Sequence, residues 1–563
     1  MNLHSVGMSK VQIRSFLAFV AAMLLPTGLP RLLVTGIYTE TLLFSQEQAH
    51  AEPAEEVAKI AQSITVRIEG ATQGSGVLVK RDGNRYTVLT AWHVVEGQRH
   101  GEELDIYTPD GQRHKLEQGS IKRLGDVDMA VLSFSSSNAY EVVQLGDVKS
   151  VSSGSSIYVA GYPLTTSAVP TRIWRFLDGR VIANATVAIP NGYQLLYSNQ
   201  TLPGMSGGAV LSAQGKLVGI HAGAERADQI SETSGKAVAT GTNQAVPIAY
   251  YSQYSKGAVV VASSTQASTA DDYLAQAQAL LGKKGREQEV IRLASQVLAT
   301  KQTADAYFYR AFAKSDLGDQ QGAIADYKQV IAINPQYIQA YVNRGRIKDA
   351  LGDKQGSSAD YSQAIAGHSQ AIDINPLDTK AYARRGSVKS ELGDMQGAIA
   401  DYSQVIAINP EYAPAYGLRG EAKYKLGDYQ GAIADYTQVI AINPSISRAY
   451  YLRGDAKSAL GDKQGAIADY NQAIIINPGS ANSYHSRARI RFKRGEIDSA
   501  ISDIRSALRI NPDNGLALFD LAWMWKKLGD TRRMCEALSM ASSLDVEGAK
   551  APYKKYCGFS SRQ

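Results

Sequence analysis

The chain has 563 residues, of which 44% are hydrophobic and 20% are charged, and its formal net charge is +6. This length is too great for one hydrophobic core, so we expect two or more domains. The sequence contains no block of basic residues, and we therefore expect no nucleic-acid partner.

The first 51 residues have the pattern of an export signal. Lys10 and Arg14 precede an apolar run at residues 16–25, and a small-x-small sequence at 49–51 follows. A run of ten residues is too short to span a bilayer. We expect a signal peptide over residues 1–51, export to the periplasm or another extracytoplasmic compartment, and no stable membrane span after cleavage. Retention as a membrane anchor is the alternative.

Residues 52–254 have the pattern of a β domain. Short apolar runs rich in β-branched residues alternate with Gly, Asp-Gly and Asn-Gly turns, which is typical of an all-β sandwich or barrel. The clearest runs are "SITVRIEG", "GSGVLVKR", "NRYTVLTAW", "DMAVLSF", "SIYVAGYP" and "KLVGIHAG". A Ser/Thr/Ala-rich linker over residues 255–270 follows this domain.

The sequence pattern changes after the linker from short apolar runs to a long repeat. A segment such as "AYYLRGDAKSALGDKQGAIADYNQAIIINP" recurs every 34 residues, except for one interval of 41. This period resembles that of tetratricopeptide repeats, and the resemblance implies an all-α solenoid over residues 271–548, with a C-terminal tail at 549–563. The eight units start near residues 272, 306, 340, 381, 415, 449, 483 and 517.

The long interval contains a duplicated Ser-Gln-Ala-Ile motif, seven residues apart. Seven residues are close to two helical turns, so the insertion should lengthen the second helix of the third unit without rotating its buried face.

Charged residues also recur in register. Six units carry Arg in the first helix and Asp 16 residues later, whereas the first and last units lack both. Because a buried charge needs a partner, we expect Arg–Asp pairs that link the two helices of a unit. The pairs are Arg310/Asp326, Arg344/Asp360, Arg385/Asp401, Arg419/Asp435, Arg453/Asp469 and Arg487/Asp503; the first unit has Gln276/Arg292 and the last Leu521/Ala537.

The β domain contains the parts of a nucleophilic site. Ser206 lies in the glycine-rich turn "LPGMSGGAV", and a nucleophilic serine needs a base and an orienting carboxylate. His93 ends the run "VLTAWHVV", and Asp128 leads into an apolar strand, with Asp126 as the alternative carboxylate. The order His, Asp, Ser is one of the known chain orders of the serine-hydrolase triad.

Four motifs in order, "GSGVLV", "VLTAWHVV", "DMAVL" and "LPGMSGGAV", resemble those of trypsin-like serine peptidases. The chain is most similar to the bacterial branch that contains the Deg/HtrA proteases and the glutamyl endopeptidases. The resemblance implies a double-barrel domain in which Ser206 attacks, His93 transfers the proton and Asp128 orients the imidazole. It also implies an oxyanion hole formed by the N–H groups of Gly204 and Ser206, and it implies no metal or cofactor.

The resemblance further places Thr201 and His221 at the substrate pocket. In glutamyl endopeptidases, residues at these offsets bind the acidic side chain that precedes the cleaved bond. A preference for a small or medium apolar side chain is the alternative.

Together these features predict an exported serine endopeptidase that acts on proteins or peptides. Its solenoid would bind a protein partner on the concave face. The alternative is a binding scaffold with a latent or inactive protease domain. The two cysteines, Cys535 and Cys557, could pair in an oxidising compartment, but the sequence does not show that their geometry suits a disulfide.

Overall fold

The computed structural model describes residues 52–557, except for 71–72, 98–102, 118, 166–170, 200, 224–241 and 259–268. The expected signal peptide and most of the expected linker lie outside the described residues. The described chain opens with helix α1 (Glu52–Ile64), whose Val57, Ala61 and Ile64 are buried in the core of the β domain.

The first half of the β domain is a seven-stranded sheet. Its order is β5-β4-β1-β2-β3-β7-β6, and all its pairs are antiparallel. The N–H of Glu117, just after β5, donates to the Ser133 oxygen on β7 and so curls the sheet toward closure. The strands are β1 (Thr65–Gly70), β2 (Gly74–Asp82), β3 (Arg85–Thr90), β4 (Leu104–Tyr107), β5 (Arg113–Lys115), β6 (Lys122–Arg123) and β7 (Ala130–Ser135).

The second half is a closed barrel of six strands in the order β10-β13-β12-β11-β8-β9. Its interior holds apolar side chains such as Val159, Leu195 and Val218. The short helix α2 (Ala249–Ser255) follows the last strand. The strands are β8 (Ser156–Gly161), β9 (Arg175–Ile189), β10 (Tyr193–Tyr197), β11 (Ala209–Ser212), β12 (Leu217–Gly223) and β13 (Asn243–Pro247).

Each of the six sequence runs contains a strand, as predicted: β1, β2, β3, β7, β8 and β12. The long strand β9 was not predicted from the sequence. Its side chains alternate in burial along the barrel wall, but Asp178, Arg180 and Asn184 interrupt its apolar pattern.

The C-terminal half is a stack of paired helices, which confirms the all-α solenoid. Within the described residues the eight units comprise sixteen helices, and each unit contributes two antiparallel neighbours. They are α3 (Ala270–Leu280), α4 (Glu287–Thr300), α5 (Ala304–Asp316), α6 (Gln320–Ile333), α7 (Ile338–Ala350), α8 (Lys354–Ile374), α9 (Thr379–Leu392), α10 (Met395–Ile408), α11 (Ala413–Lys425), α12 (Tyr429–Ile442), α13 (Ser447–Ala459), α14 (Lys463–Ile476), α15 (Ala481–Lys493), α16 (Ile497–Ile510), α17 (Gly515–Lys527) and α18 (Thr531–Ser543).

The seven-residue insertion lengthens α8, as predicted: α8 has 21 residues, whereas α10 in the next unit has 14. The second copy of the duplicated motif takes over a contact between units. Its Ser369 hydroxyl accepts a hydrogen bond of 3.0 Å from Arg385 in the following unit.

The six Arg–Asp pairs are formed, with Nη2–Oδ1 distances of 2.5–2.7 Å. Each aspartate is buried and also binds a second cation four residues after the arginine, at 2.7–2.9 Å, a contact that was not predicted from the sequence. We call this set the charge ladder. The second cations are Lys314, Lys348, Lys389, Lys423, Lys457 and Arg491.

The first solenoid unit docks on the second barrel. Two carboxylates at the start of α3 accept hydrogen bonds from the outer edge of β9: Asn184 N–H donates to Asp271, and Thr186 and Val187 N–H donate to Asp272. Apolar residues of β9 and β10 pack against α3 and its neighbours in one continuous cluster. The two domains therefore contact each other through both hydrogen bonds and apolar packing.

The chain beyond the last unit forms helix α19 (Lys550–Cys557), and a disulfide joins Cys557 to Cys535 on α18, with a Cα–Cα distance of 5.6 Å. The two cysteines therefore form a disulfide, which the sequence alone did not determine. Among the described residues, no helix combines the length and apolar character needed to cross a membrane.

Candidate active site

His93 and Asp128 form the centre of the candidate site. His93 lies in a single 3₁₀ turn directly after β3, and Asp128 lies just before β7, which pairs with β3. The His93 backbone N–H donates to Asp128 Oδ1 at 2.9 Å, and His93 Nδ1 lies 2.8 Å from Asp128 Oδ2. The carboxylate therefore holds the imidazole by its Nδ1–H and leaves Nε2 as the proton acceptor.

Asp128 is 4% exposed, and its carboxylate has a second donor, because the Tyr193 hydroxyl binds Oδ2 at 2.7 Å. Burial alone raises the pKa of Asp128, but the hydrogen bonds and charge of His93, together with Tyr193, outweigh burial and lower it. Burial and the Asp128 charge raise the pKa of Tyr193. Tyr193 thus stays protonated and Asp128 stays ionised at neutral pH.

The Ser206 turn, residues 202–208, is held against the first sheet by Ser75 of the "GSGVLV" motif. The Ser75 N–H donates to the Ser206 oxygen at 2.8 Å, and the Ser75 hydroxyl donates to the Gly204 oxygen at 3.1 Å. Gly207 has φ +87°, and a Cβ there would meet the Ser75 oxygen at 2.0 Å, so only glycine fits. These contacts fix the Ser206 turn against the start of β2.

The structure thus brings His93 and Asp128 into contact and fixes the backbone of Ser206 beside Ser75. Among the described residues, no hydrogen bond joins the Ser206 hydroxyl to the His93 imidazole. Such contacts are often loose in an unliganded site and tighten when substrate binds. The alternative carboxylate, Asp126, is exposed, whereas the buried Asp128 holds His93 at two points.

The two N–H groups expected to form the oxyanion hole have no acceptor within the described part of the chain: Gly204 N–H and Ser206 N–H. The preceding carbonyl, that of Pro203, accepts a hydrogen bond of 2.8 Å from Leu164 N–H. In a trans peptide the N–H points opposite to the C=O, so this bond aims the Gly204 N–H away from Leu164. Gly204 has φ +90°, which favours glycine there.

Arg172 is a buried cation that organises the same turn. Its guanidinium donates to five backbone carbonyls, namely Gly204 and Pro163 at 3.1 Å each, Gly74 and Ile68 at 2.9 Å each, and Tyr162. The planar fork of arginine suits several carbonyls at once. We therefore expect Arg172 to hold the peptide group of Gly204 in position.

His221 is fully buried behind the Ser206 turn. Its N–H donates to the Gly208 oxygen at 3.0 Å, and its oxygen accepts from Gly207 N–H at 2.7 Å. Nδ1 lies 2.5 Å from the Tyr197 hydroxyl, whereas Nε2 is buried without a partner among the described residues. Burial and the nearby His93 lower the pKa of His221 to about 3, so its ring is neutral at physiological pH.

Thr201 is 2% exposed, and its hydroxyl donates to Asn243 at 2.5 Å. Asn243 in turn donates to the Asn199 oxygen. The Thr201 carbonyl accepts a hydrogen bond of 3.2 Å from Lys380 on α9. A solenoid side chain therefore contacts the segment that leads into the Ser206 turn.

Sequence reasoning missed Tyr193, Arg172 and Lys380, because each acts through a contact between segments far apart in the chain. Ser75 could have been identified, since it lies inside a motif that the sequence analysis had already singled out.

The β domain is similar to known peptidases. The family profile described as the trypsin-like peptidase domain matches residues 74–220. The serine protease Do-like HtrA of Bacillus subtilis is 28% identical over 151 residues, which are 26% of this chain and 32% of that protein. Its Lactobacillus helveticus counterpart is 26% identical over 188 residues, 32% of this chain and 43% of that protein. The match thus spans less than half the length of either relative.

Profiles of tetratricopeptide repeats match residues 305–337, 386–427, 418–481 and 481–514. A solved tetratricopeptide repeat protein from Parabacteroides merdae has 20% identity and a TM-score of 0.36, covering 45% of this chain and 98% of that one. At that score the assignment rests on the repeats themselves and their paired helices. The chain therefore joins a trypsin-like peptidase domain, related to the HtrA serine proteases, to a tetratricopeptide-repeat solenoid.

Proposed function

We propose that this protein is an exported serine endopeptidase with a Ser206–His93–Asp128 triad. The observation that carries the proposal is the buried Asp128 carboxylate, which binds His93 at two points beside a turn whose Gly204 and Ser206 N–H groups have no acceptor among the described residues. A base, its orienting carboxylate and free donors for an oxyanion are the parts that acyl transfer requires.

In the proposed reaction, the Ser206 hydroxyl attacks the peptide carbonyl while His93 Nε2 takes its proton. Asp128 stabilises the imidazolium that forms, and the N–H groups of Gly204 and Ser206 receive the negative oxygen of the tetrahedral intermediate. His93 then protonates the leaving amine. Water repeats the sequence on the acyl-enzyme and restores Ser206.

We further propose that the side chain preceding the cleaved bond is acidic. The buried, unpartnered Nε2 of His221 supports this proposal, because a carboxylate oxygen is a suitable acceptor for a buried N–H. The Tyr197 hydroxyl lies 2.5 Å from Nδ1 and 3.3 Å from the Gln244 oxygen, and when it donates to Nδ1 the neutral ring carries its proton on Nε2. In a His221→Gln variant, cleavage after Glu should fall while fluorophosphonate labelling of Ser206 persists. Equal rates after Glu and after Val or Ala in the native protein would contradict this preference.

The Cys535–Cys557 disulfide supports an extracytoplasmic location, because disulfides persist in oxidising compartments. The solenoid supports a protein or peptide partner on its concave face. Cell fractionation of the native protein and mass spectrometry of its N-terminus would test export and signal cleavage together.

The activity is tested by fluorophosphonate labelling of the full chain. Ser206→Ala should abolish labelling and peptide hydrolysis, and Asp128→Asn should lower both by about 10⁴-fold, because an amide at this position favours the wrong tautomer of His93. Asp126→Asn is the matched control and should leave both unchanged. If the native protein is folded but does not label, the protease domain is latent or inactive, and the protein is the binding scaffold instead.

A further inference from the structure

The charge ladder stops at the last solenoid unit. Thirty-four residues after Arg487, Arg491 and Asp503, the equivalent positions hold Leu521, Trp525 and Ala537. In the six units before it, every such arginine has a buried aspartate as its partner. The last unit removes the aspartate and puts an indole where the second cation lies elsewhere.

A cleft of about 730 Å³ lies between α16 and α18 at this unit. Trp525 lines it, is itself 8% exposed and lies between two arginines: the Cζ atom of Arg505 is 5.5 Å from its ring centroid and that of Arg533 is 4.7 Å away. A third arginine, Arg509, lies one helical turn beyond Arg505 on the same cleft.

These arginines differ from those of the ladder in their partners. Within the described part of the chain, Arg505 and Arg509 form no ion pair, and Arg533 has only a 3.6 Å contact with Asp530. Stacking on an indole fixes the face of a guanidinium and leaves its N–H edge available. The indole therefore orients the guanidinium groups of Arg505 and Arg533, while their N–H groups stay available to bind a ligand.

We propose that the cleft at Arg505, Arg509 and Arg533 binds an acidic peptide segment. Carboxylates match the planar fork of arginine in a bidentate geometry, and three such forks on one cleft select a chain with several carboxylates. Asp498 lies at the other end of the cleft, seven residues or about 10 Å along α16 from Arg505. It disfavours a continuous polyanion such as nucleic acid and favours a peptide whose charges are spaced.

The test uses the full-length Ser206→Ala protein, which cannot cleave the probe by the proposed reaction. The probe is a short fluorescein-labelled peptide in which Glu alternates with Ala, and binding is followed by fluorescence anisotropy. We expect saturable binding that weakens with salt, and no binding of the matching peptide with Gln in place of Glu.

Arg505→Gln/Arg509→Gln should weaken binding by at least about tenfold, equivalent to roughly 1.4 kcal/mol. The matched control is Arg494→Gln/Arg532→Gln, which removes the same charge from exposed arginines already paired with Glu496 and Glu536. Equal loss in both double variants would show attraction by overall charge and overturn the proposal. So would binding of an oligonucleotide with no binding of the Glu peptide, or binding of neither.

Discussion

The ammonium nitrogen of Lys380, in the fourth repeat, lies 3.2 Å from the backbone oxygen of Thr201, five residues before Ser206. The contact extends the interface that Asp271 and Asp272 form with β9 at the first repeat. Because Thr201 also binds Asn243, a displacement of the solenoid would act directly on the wall of the proposed pocket.

We therefore predict that Lys380→Met raises KM for peptide substrates by about tenfold, since a hydrogen bond from a charged group contributes roughly 1.5 kcal/mol or more. The labelling rate of Ser206 by a small fluorophosphonate should change little, because that probe does not need the pocket wall. Lys354→Met removes an exposed lysine of α8 and serves as the control. An unchanged KM in Lys380→Met would mean that the contact has no effect on substrate binding.

Arg172→Lys should slow fluorophosphonate labelling by about 100-fold, the scale of losing one oxyanion donor. A lysine ammonium keeps the charge but cannot reach the carbonyls of Gly204, Gly74 and Tyr162 together. The rate is measured by stopping the labelling of the folded variant at a series of times. Arg175→Lys, three residues along the chain, should label normally, and normal labelling of both variants would refute the role of Arg172.

Asp435→Ala should lower the free energy of unfolding by about 3–5 kcal/mol, because it leaves Arg419 and Lys423 without their shared buried carboxylate. Urea unfolding followed by circular dichroism measures the loss. Glu411→Ala removes an exposed carboxylate nearby and should change stability by no more than about 0.5 kcal/mol. Equal stability of the two variants would show that the ladder does not stabilise the solenoid.

His368, on the lengthened helix α8, makes solenoid stability depend on pH. Burial, together with the charges of Arg384 and Arg385, lowers the pKa of His368 to about 4. The unfolded chain takes up this proton near pH 6.5 and the folded chain only near pH 4, so stability is full above pH 6.5 and falls as pH drops between these values. The loss reaches about 3 kcal/mol.

His368→Gln should flatten this dependence between pH 4 and 6.5, measured as the midpoint of urea unfolding. An identical slope in the native protein and the variant would assign the pH dependence to other groups.

Local patterns in the sequence predicted much of this molecule. The 34-residue period, the six strand-forming runs and the Arg–Asp spacing depend on residues close together in the chain or repeated in register, and the structure confirms them. The second cation of the ladder was also readable, because a basic residue stands four positions after the arginine in all six units.

Other features depend on contacts that no local pattern encodes. Tyr193 is 65 residues from Asp128, and Arg172 reaches Ile68 across 104 residues. The docking of α3 on β9 joins two domains whose relative placement a linker sequence does not specify. These are tertiary relationships, and they include the residues that support the candidate site.

The charge ladder also bears on how this array can change its length. Each of the six ladder units supplies both cations for its own buried aspartate, and for five of the six arginines a hydroxyl or amide oxygen of the preceding unit accepts a further N–H, as Ser403 does for Arg419. The lengthened helix α8 kept that junction because its duplication supplied a new serine at the right distance, Ser369. Adding or removing one whole ladder unit would therefore leave no buried aspartate without its cations, so the solenoid can differ in length while the peptidase domain stays the same.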